Sequence, residues 1–443
     1  MRTIVLLPGI MGSELVLGRE QIWPPTPREL VFGYGRIAKL ASLQARVGDL
    51  VRSVPCYPIY QSLVDQLKAW GFDESASGGA SGRLRPWPYD WRVDIRTTAA
   101  KLAQDLQALS SEDPSAEITL LAHSMGGLVS RFALEVAEAS APSAWRASVR
   151  QLITMGTPHR GAPLALVYAL GQSGVLGISA PDVRTLSANP RFPSTYQLIP
   201  AADAFGFWSR QGGPVPLQAV DVLERSVAQG LGLELSNVQA AQGFHQALAS
   251  GTRPPGCRYF SFVGRELETT VRGELSAGAT LDAIADDDSG DGTVPVWSGT
   301  LADEQFQLDG DEHIRTFRNA KLIATLGELL GVPRAQLRAT APALAPLSVS
   351  LPRHVFSSGE IVRASVRSHA AALPEVALVI RPLDESGRPS GAAVSTVSLG
   401  ALTANAAVRV QVALPASPGL YSITPRSGAP GLEGEPKQFA VQR

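Results

Sequence analysis

Ser124 lies at the junction of two short patterns of different period. Ile118 to Leu121 is an apolar, partly β-branched run, Ala122-His123-Ser124-Met125-Gly126-Gly127 interrupts it, and Leu128, Phe132, Leu134 and Val136 follow at largely helical spacing. The pattern predicts a strand, a tight turn and a helix, with the serine at the apex. Small residues beside the serine let strand and helix pack closely while the hydroxyl projects outward. A serine presented in this way becomes a nucleophile, forming an acyl-serine, when a base and an acid are placed to activate it. Its competing role is that of a plain helix cap.

An acid and a base do follow in the chain. Asp291 lies between two glycines in Asp286-Asp287-Asp288-Ser289-Gly290-Asp291-Gly292-Thr293-Val294-Pro295. Asp287, Ser289 and Asp291 with Gly292 imitate half of a calcium loop, but its twelfth position falls on Ser298 where a bidentate glutamate is required. No metal site is therefore assigned. Asp291 is the candidate acid, and Asp286, Asp287 and Asp288, read as solvated turn residues, leave the choice among these acids open. The α/β-hydrolase order is serine, acid, histidine. Of the six histidines, His313 follows Asp291 without falling in the C-terminal segment, which makes it the candidate base. Two backbone amides are needed for the developing oxyanion, one after the nucleophile and one from a loop after an early strand. Met125 and Met11 occupy those places. His123 reads as a packing or hydrogen-bonding residue of the turn.

The elements that must position these residues alternate between strand and helix. Thr3 to Leu7, Val149 to Met155 and Arg258 to Gly264 are buried-strand candidates of a mostly parallel sheet. Helices are expected from Tyr60 to Trp70, Thr98 to Leu109 and Thr316 to Leu330. Leu40, Leu43, Val47, Leu50, Val51 and Val54 recur at spacings of three and four, which predicts one more amphipathic helix in a lid-like stretch of about 20–55. Asp90 and Arg92, among Trp87, Tyr89 and Trp91, are expected to form a structural ion pair with guanidinium stacking. The segment of about 160–256, rich in Gly, Pro, Ala and Ser, fits a cap insertion.

Whole-chain properties exclude several classes. A chain of 443 residues with formal net charge -1 and no basic run is not a general nucleic-acid binder. Cys56 and Cys257 are far apart and read as buried apolar residues, so neither a disulfide framework nor a zinc site is expected. No cofactor is implied. The start passes directly into strand-like Ile4-Val5-Leu6-Leu7, so a cytoplasmic location is expected, with any membrane contact peripheral.

These blocks, taken in order, resemble the lecithin:cholesterol acyltransferase-like family of α/β hydrolases, which includes lysosomal phospholipase A2 and phospholipid:diacylglycerol acyltransferase. The resemblance rests on Pro8-Gly9-Ile10-Met11-Gly12-Ser13, Pro88-Tyr89-Asp90-Trp91-Arg92, His123 to Gly127, Gly156-Thr157-Pro158-His159-Arg160-Gly161, Gly290 to Pro295, and His313. It implies Ser124 as nucleophile, Asp291 as acid, His313 as base, the Met11 and Met125 amides as oxyanion hole, and acyl esters of lipids as substrates. The chain departs from secreted members, which carry a signal peptide and a disulfide-closed lid loop.

The resemblance ends near Leu330. Gly331 to Pro346 reads as a linker, and about seven short alternating runs beyond it predict a small immunoglobulin-like β-sandwich. The expected organisation is an α/β-hydrolase domain over 1–335 and an all-β domain over 346–443, the latter available to bind an unknown protein. Expected functions, in order, are a phospholipase, lipase or lipid acyltransferase, a soluble carboxylesterase or amide hydrolase, and a non-enzymatic adaptor carrying the sandwich.

Overall fold

The computed structural model describes the chain except residues 55–56, 137–143, 210–216, 277–279, 302–303, 342–344, 370–371 and 429–431, and describes only the backbone of residues 57, 58, 144, 287 and 288. Seven strands form one sheet in the order Glu304–Asp309, Arg258–Arg265, Val149–Met155, Glu117–His123, Arg2–Leu7, Gly82–Pro86 and Phe72–Asp73. Every neighbouring pair is parallel. Strands buried on both faces must be apolar throughout, and Arg2–Leu7 and Glu117–His123 are buried after their first residue. This is the α/β-hydrolase architecture expected from the sequence.

The chain enters at Arg2–Leu7, adds Gly82–Pro86 on one side and Glu117–His123 on the other, and then continues outward past the latter. The strand order therefore reverses between Arg2–Leu7 and Glu117–His123. Their carboxyl ends lead into Pro8–Ser13 and into Ser124. In an open parallel sheet the connections leave a crevice at such a reversal, because successive crossovers depart to opposite faces.

The stretch from Leu40 to Val54 differs from expectation. Ile37–Leu40 is a short helix, but Arg46–Leu50 is a strand in a three-stranded sheet with Ser13–Leu17 and Glu20–Trp23. Leu15 pairs with Val47, and Val16 with Arg46. The helical stripe was coincidental: Leu40 and Leu50 are buried, while Leu43 and Val47 are 57% and 38% exposed. The branched Val47 suits an extended segment, and the partners that select it lie about thirty residues earlier.

The expected cap contains helices Leu164–Ala169, Ala180–Ser187, Arg225–Gly230 and Leu235–Ala249. It also extends beyond residue 256. Phe207–Ser209 pairs with Leu267–Ser276, which pairs in turn with Thr280–Gly290. Asp286 to Asp288, read as turn residues, thus lie within a strand, a placement set by pairing across a hairpin. Cys257 is half-buried, and burial of its thiol pushes the pKa up to about 12. Cys56 falls outside the described residues.

The C-terminal part forms a three-stranded and a five-stranded sheet around its own apolar cluster, which includes Leu347, Val366, Leu378 and Ile423. Val355–Ser357, absent from the expected runs, adds to the edge of the larger sheet beside Lys437–Gln442. Arg334–Ala339 is helical within the expected linker. A third cluster joins Leu30 and Val31 of the Pro27–Phe32 helix to Leu383, Leu420 and Ala440 of the sandwich. No helix among the described residues is long and apolar enough to cross a membrane.

Leu121 is fully buried at the centre of the main sheet. Leu121→Ala is expected to cost about 2–5 kcal/mol of stability through lost transfer energy and the residual cavity, read from the urea unfolding midpoint at unchanged slope.

Candidate active site

Ser124 caps the Met125–Glu135 helix with φ 51 and ψ -125. A non-glycine residue in this region costs on the order of 1–3 kcal/mol, so the surroundings must hold it. The Ser124 N–H donates to the Met155 carbonyl at 2.9 Å, and its own carbonyl accepts from Gly127 N–H at 3.0 Å. The next two glycines allow the helix to sit against the sheet. A Cβ on Gly126 would lie 2.5 Å from the Pro8 oxygen, and one on Gly127 would lie 2.1 Å from Thr157 Oγ1. The expected strand, turn and helix are all present.

Asp291 and His313 are brought together. His313 Nδ1 lies 2.7 Å from Asp291 Oδ2, and both side chains are nearly buried. The other carboxylate oxygen accepts from Thr293 N–H at 3.0 Å and Val294 N–H at 2.7 Å. Asp291 is thus fixed as an acceptor, so the imidazole presents Nδ1–H to it and leaves Nε2 for other work. The His313 N–H also donates to the Asp291 carbonyl at 2.9 Å. This pairing separates Asp291 from Asp286, which is exposed on its strand. Ser124, His123 and His313 line one cavity. Among the described residues no hydrogen bond joins Ser124 Oγ to His313, a looseness common in unliganded sites.

Met11 has a left-handed backbone, φ 63, and lines the same cavity. Its carbonyl accepts from Trp23 Nε1 at 2.7 Å. Met125 opens the helix after Ser124, where an N–H has no intrahelical acceptor. The loop bearing Met11 and the helix opened by Met125 thus follow the two neighbouring strands at the reversal.

The aromatic block scaffolds the Pro8–Ser13 loop. Tyr89 donates its hydroxyl to the Pro8 carbonyl at 2.7 Å and its backbone N–H to Ser13 Oγ at 3.0 Å, while Trp91 Nε1 donates to the Ser13 carbonyl at 3.2 Å. Arg92 and Asp90 form the expected ion pair, at 2.8 and 2.7 Å, with the guanidinium 4.5 Å from the Phe192 ring centroid. Arg92 also donates to the Leu40 carbonyl, and to Ser42 at 3.0 Å, so the lid-like stretch is tied to the core.

Sequence reading missed a relay through Tyr60. Gly9 N–H donates to the Tyr60 hydroxyl at 2.8 Å, that hydroxyl lies 2.7 Å from His123 Nδ1, and His123 Nε2 lies 3.1 Å from the His313 carbonyl. A carbonyl can only accept, so His123 carries its proton on Nε2 and accepts the Tyr60 hydroxyl proton at Nδ1. Burial lowers the His123 pKa well below the ordinary imidazole value, with the His313 charge adding to the effect. His123 is therefore a neutral strut between the Pro8–Ser13 loop and the His313 backbone. The only sequence signal was its position next to Ser124. His159 and His245 bond elsewhere, to Thr154 Oγ1 and to the Ile199 carbonyl.

The cavity above Ser124 has a volume of about 210 Å³, with Leu164, Tyr168, Leu176, Val183, Leu186 and Phe192 on its apolar wall. Most of that wall comes from the cap.

Residues 50–220 match the family model of lecithin:cholesterol acyltransferase. The resemblance read from the sequence blocks is thus shown over that span, and the match supports an acyl-ester hydrolase or lipid acyltransferase. No curated protein matches the chain. Similar solved structures include the Tle4–Tli4 complex, with a TM-score of 0.49, 15% identity, and coverage of 77% of this chain and 99% of that chain. The mature Bacillus licheniformis lipase BlEst2 follows at TM-score 0.37 and 14% identity, covering 74% and 91%. The lin2722 product of Listeria innocua has TM-score 0.33 and 10% identity, covering 74% and 94%.

Tyr60→Phe removes the hydroxyl and leaves Gly9 N–H and His123 Nδ1 without it. Leaving such buried groups unpaired is expected to cost about 1–3 kcal/mol, measured by chemical denaturation.

Proposed function

We propose that this protein is a serine-dependent acyl-ester hydrolase or acyltransferase acting on lipid esters, most simply a phospholipase or lipase. The observation that carries the proposal is the Asp291–His313 pair, at 2.7 Å, facing the cavity that Ser124 shares. His313 Nε2 takes the Ser124 hydroxyl proton as Oγ bonds to the ester carbonyl carbon. The carbonyl π electrons move onto oxygen, where the Met11 and Met125 N–H groups receive the charge. Asp291 stabilises the imidazolium, which returns its proton to the leaving alcohol as the C–O bond breaks. Water or a second alcohol then attacks the acyl-serine by the same path. A mostly aliphatic and aromatic cavity favours an acyl chain over a polar acid group, because desolvating the latter without partners is costly.

A soluble carboxylesterase is the second reading, and one observation favours it. The Pro27–Phe32 helix of the lid-like stretch is docked on the sandwich through Leu30 and Val31, and so forms a wall more than a hinged cover.

Wild type is expected to be labelled by a fluorophosphonate probe, and Ser124→Ala to stay unlabelled; a folded wild type that takes up no probe would sink the proposal. Mass spectrometry of products from mixed phospholipid vesicles, with and without an added alcohol, then separates the outcomes. Free fatty acid identifies a hydrolase, a new ester identifies an acyltransferase, and turnover confined to short soluble esters identifies the carboxylesterase.

A further inference from the structure

The loop bearing His313 is gripped from outside its own domain. Ser350 donates its hydroxyl to the Gly310 carbonyl at 2.9 Å. Glu312, the residue before His313, accepts the Leu351 N–H at 2.9 Å on one carboxylate oxygen and the Lys437 ammonium on the other. His354 Nε2 lies 3.5 Å from that second oxygen. Further along, Arg315 and Arg318 donate to Glu435 at 3.2 and 2.6 Å. Ser350, Leu351, His354, Glu435 and Lys437 all belong to the C-terminal part.

The Glu312–Lys437 pair differs from the surface pairs of this chain. The two side chains are 6% and 0% exposed. Two charges taken out of water cost more than their attraction returns unless further hydrogen bonds complete them, so such a pair is a poor source of stability and a strict constraint on position. Here the completion is present: Leu351 N–H serves the carboxylate, and His354 and Arg315 also face it. Burial alone would raise the Glu312 carboxyl, yet the Lys437 and Arg315 charges outweigh it and hold the carboxyl below its usual value. Burial pushes the Lys437 amine down to about 7 and the His354 imidazole down to about 3. Asp311, on the same loop, also faces Lys437.

The residues between these anchors have little freedom left. His313 itself is held through its N–H to the Asp291 carbonyl and through its carbonyl to His123. From Gly310 to Arg318, the hydrolase core holds one side of the loop and the sandwich the other.

We propose that the C-terminal sandwich is part of the catalytic apparatus, with Lys437 and Glu312 as positioning residues that set the His313 loop. The idea of the loop as catalytic rests on the hydrolase reading above, whereas the grip itself can be measured without turnover. Small misplacements of a catalytic group cost about a hundredfold when they reach 1 Å, so a modest slackening of this loop is readable in kcat.

Two readouts on the full chain test the proposal. The first is the ring resonances of His313, followed by NMR of histidine-labelled protein and assigned with His313→Gln. Lys437→Met removes the ammonium that fixes the Glu312 carboxylate, so the loop loses an anchor and the His313 resonances are expected to shift or broaden. The second is turnover of 4-nitrophenyl butyrate. Lys437→Met is expected to lower kcat by about tenfold or more with little change in KM. A folded Lys437→Met with unchanged His313 resonances and wild-type kcat would overturn the proposal, as would a loss confined to KM. Should Lys437→Met not fold, Ser350→Ala removes only the hydroxyl on the Gly310 carbonyl: a lower kcat at unchanged KM supports the grip, and a wild-type kcat rejects it. A wild type with no turnover and no probe labelling fails the hydrolase reading alone, because the NMR spectra still decide whether the sandwich sets His313.

Discussion

The backbone of Ser124 cannot relax. With φ 51 and ψ -125 it occupies a conformation that a side chain disfavours, and it stays there because the strand before it and the helix after it are both locked. Glu117–His123 is paired on both sides within the main sheet, and the helix is pressed onto Pro8 and Thr157 at distances that only glycine permits. The rest of the site is arranged around this rigid apex. Because the strand order reverses beside it, the loop carrying Met11 rises from the neighbouring strand and reaches the same crevice without a long excursion.

Three further supports converge on that crevice from different parts of the chain. The aromatic block around Tyr89 and Trp91 holds the Pro8–Ser13 loop from below, and Arg92 carries the same scaffold out to Leu40 and Ser42. The Tyr60–His123 relay then links Gly9 to the His313 carbonyl, so the loops on the two sides of Ser124 share one chain of hydrogen bonds. His123 can serve there because burial keeps it neutral. A charged imidazole there would lie with its ring centroid 4.7 Å from that of His313 and would oppose any positive charge on it.

The cap and the sandwich divide the remaining tasks. Cap residues such as Tyr168, Leu186 and Phe192 form the apolar wall of the cavity, and with it the preference for what enters. The sandwich packs elsewhere, where Ala440 and Leu420 meet Leu30 and where Lys437 meets Glu312, the residue before His313. Its attachment to the Pro27–Phe32 helix and to the His313 loop means that the two parts of the chain meet at the site rather than at a distant linker.

Local pattern was enough for the parts of this protein whose physics is local. The buried strands, the amphipathic Gln61–Ala69 and Ile95–Glu112 helices, the turn at Ser124 and the alternating runs of the sandwich follow from side-chain period and from where small residues fall. Chain order then singled out His313 and left the acid among the aspartates near Asp291, and the 2.7 Å contact that the fold forms selects Asp291. Position was another matter. The stripe from Leu40 to Val54 has helical spacing yet pairs as a strand, because the Ser13–Leu17 partner decides. The hairpin of Leu267–Ser276 and Thr280–Gly290 joins the cap for the same reason, through Phe207–Ser209. Tyr60 and Lys437 are unremarkable in sequence, and they acquire meaning only when folding brings them against His123 and Glu312 across 63 and 125 residues. Periodicity encodes which face of an element is buried; it carries no record of the distant partner that the face will meet, and in this chain those partners hold the site together.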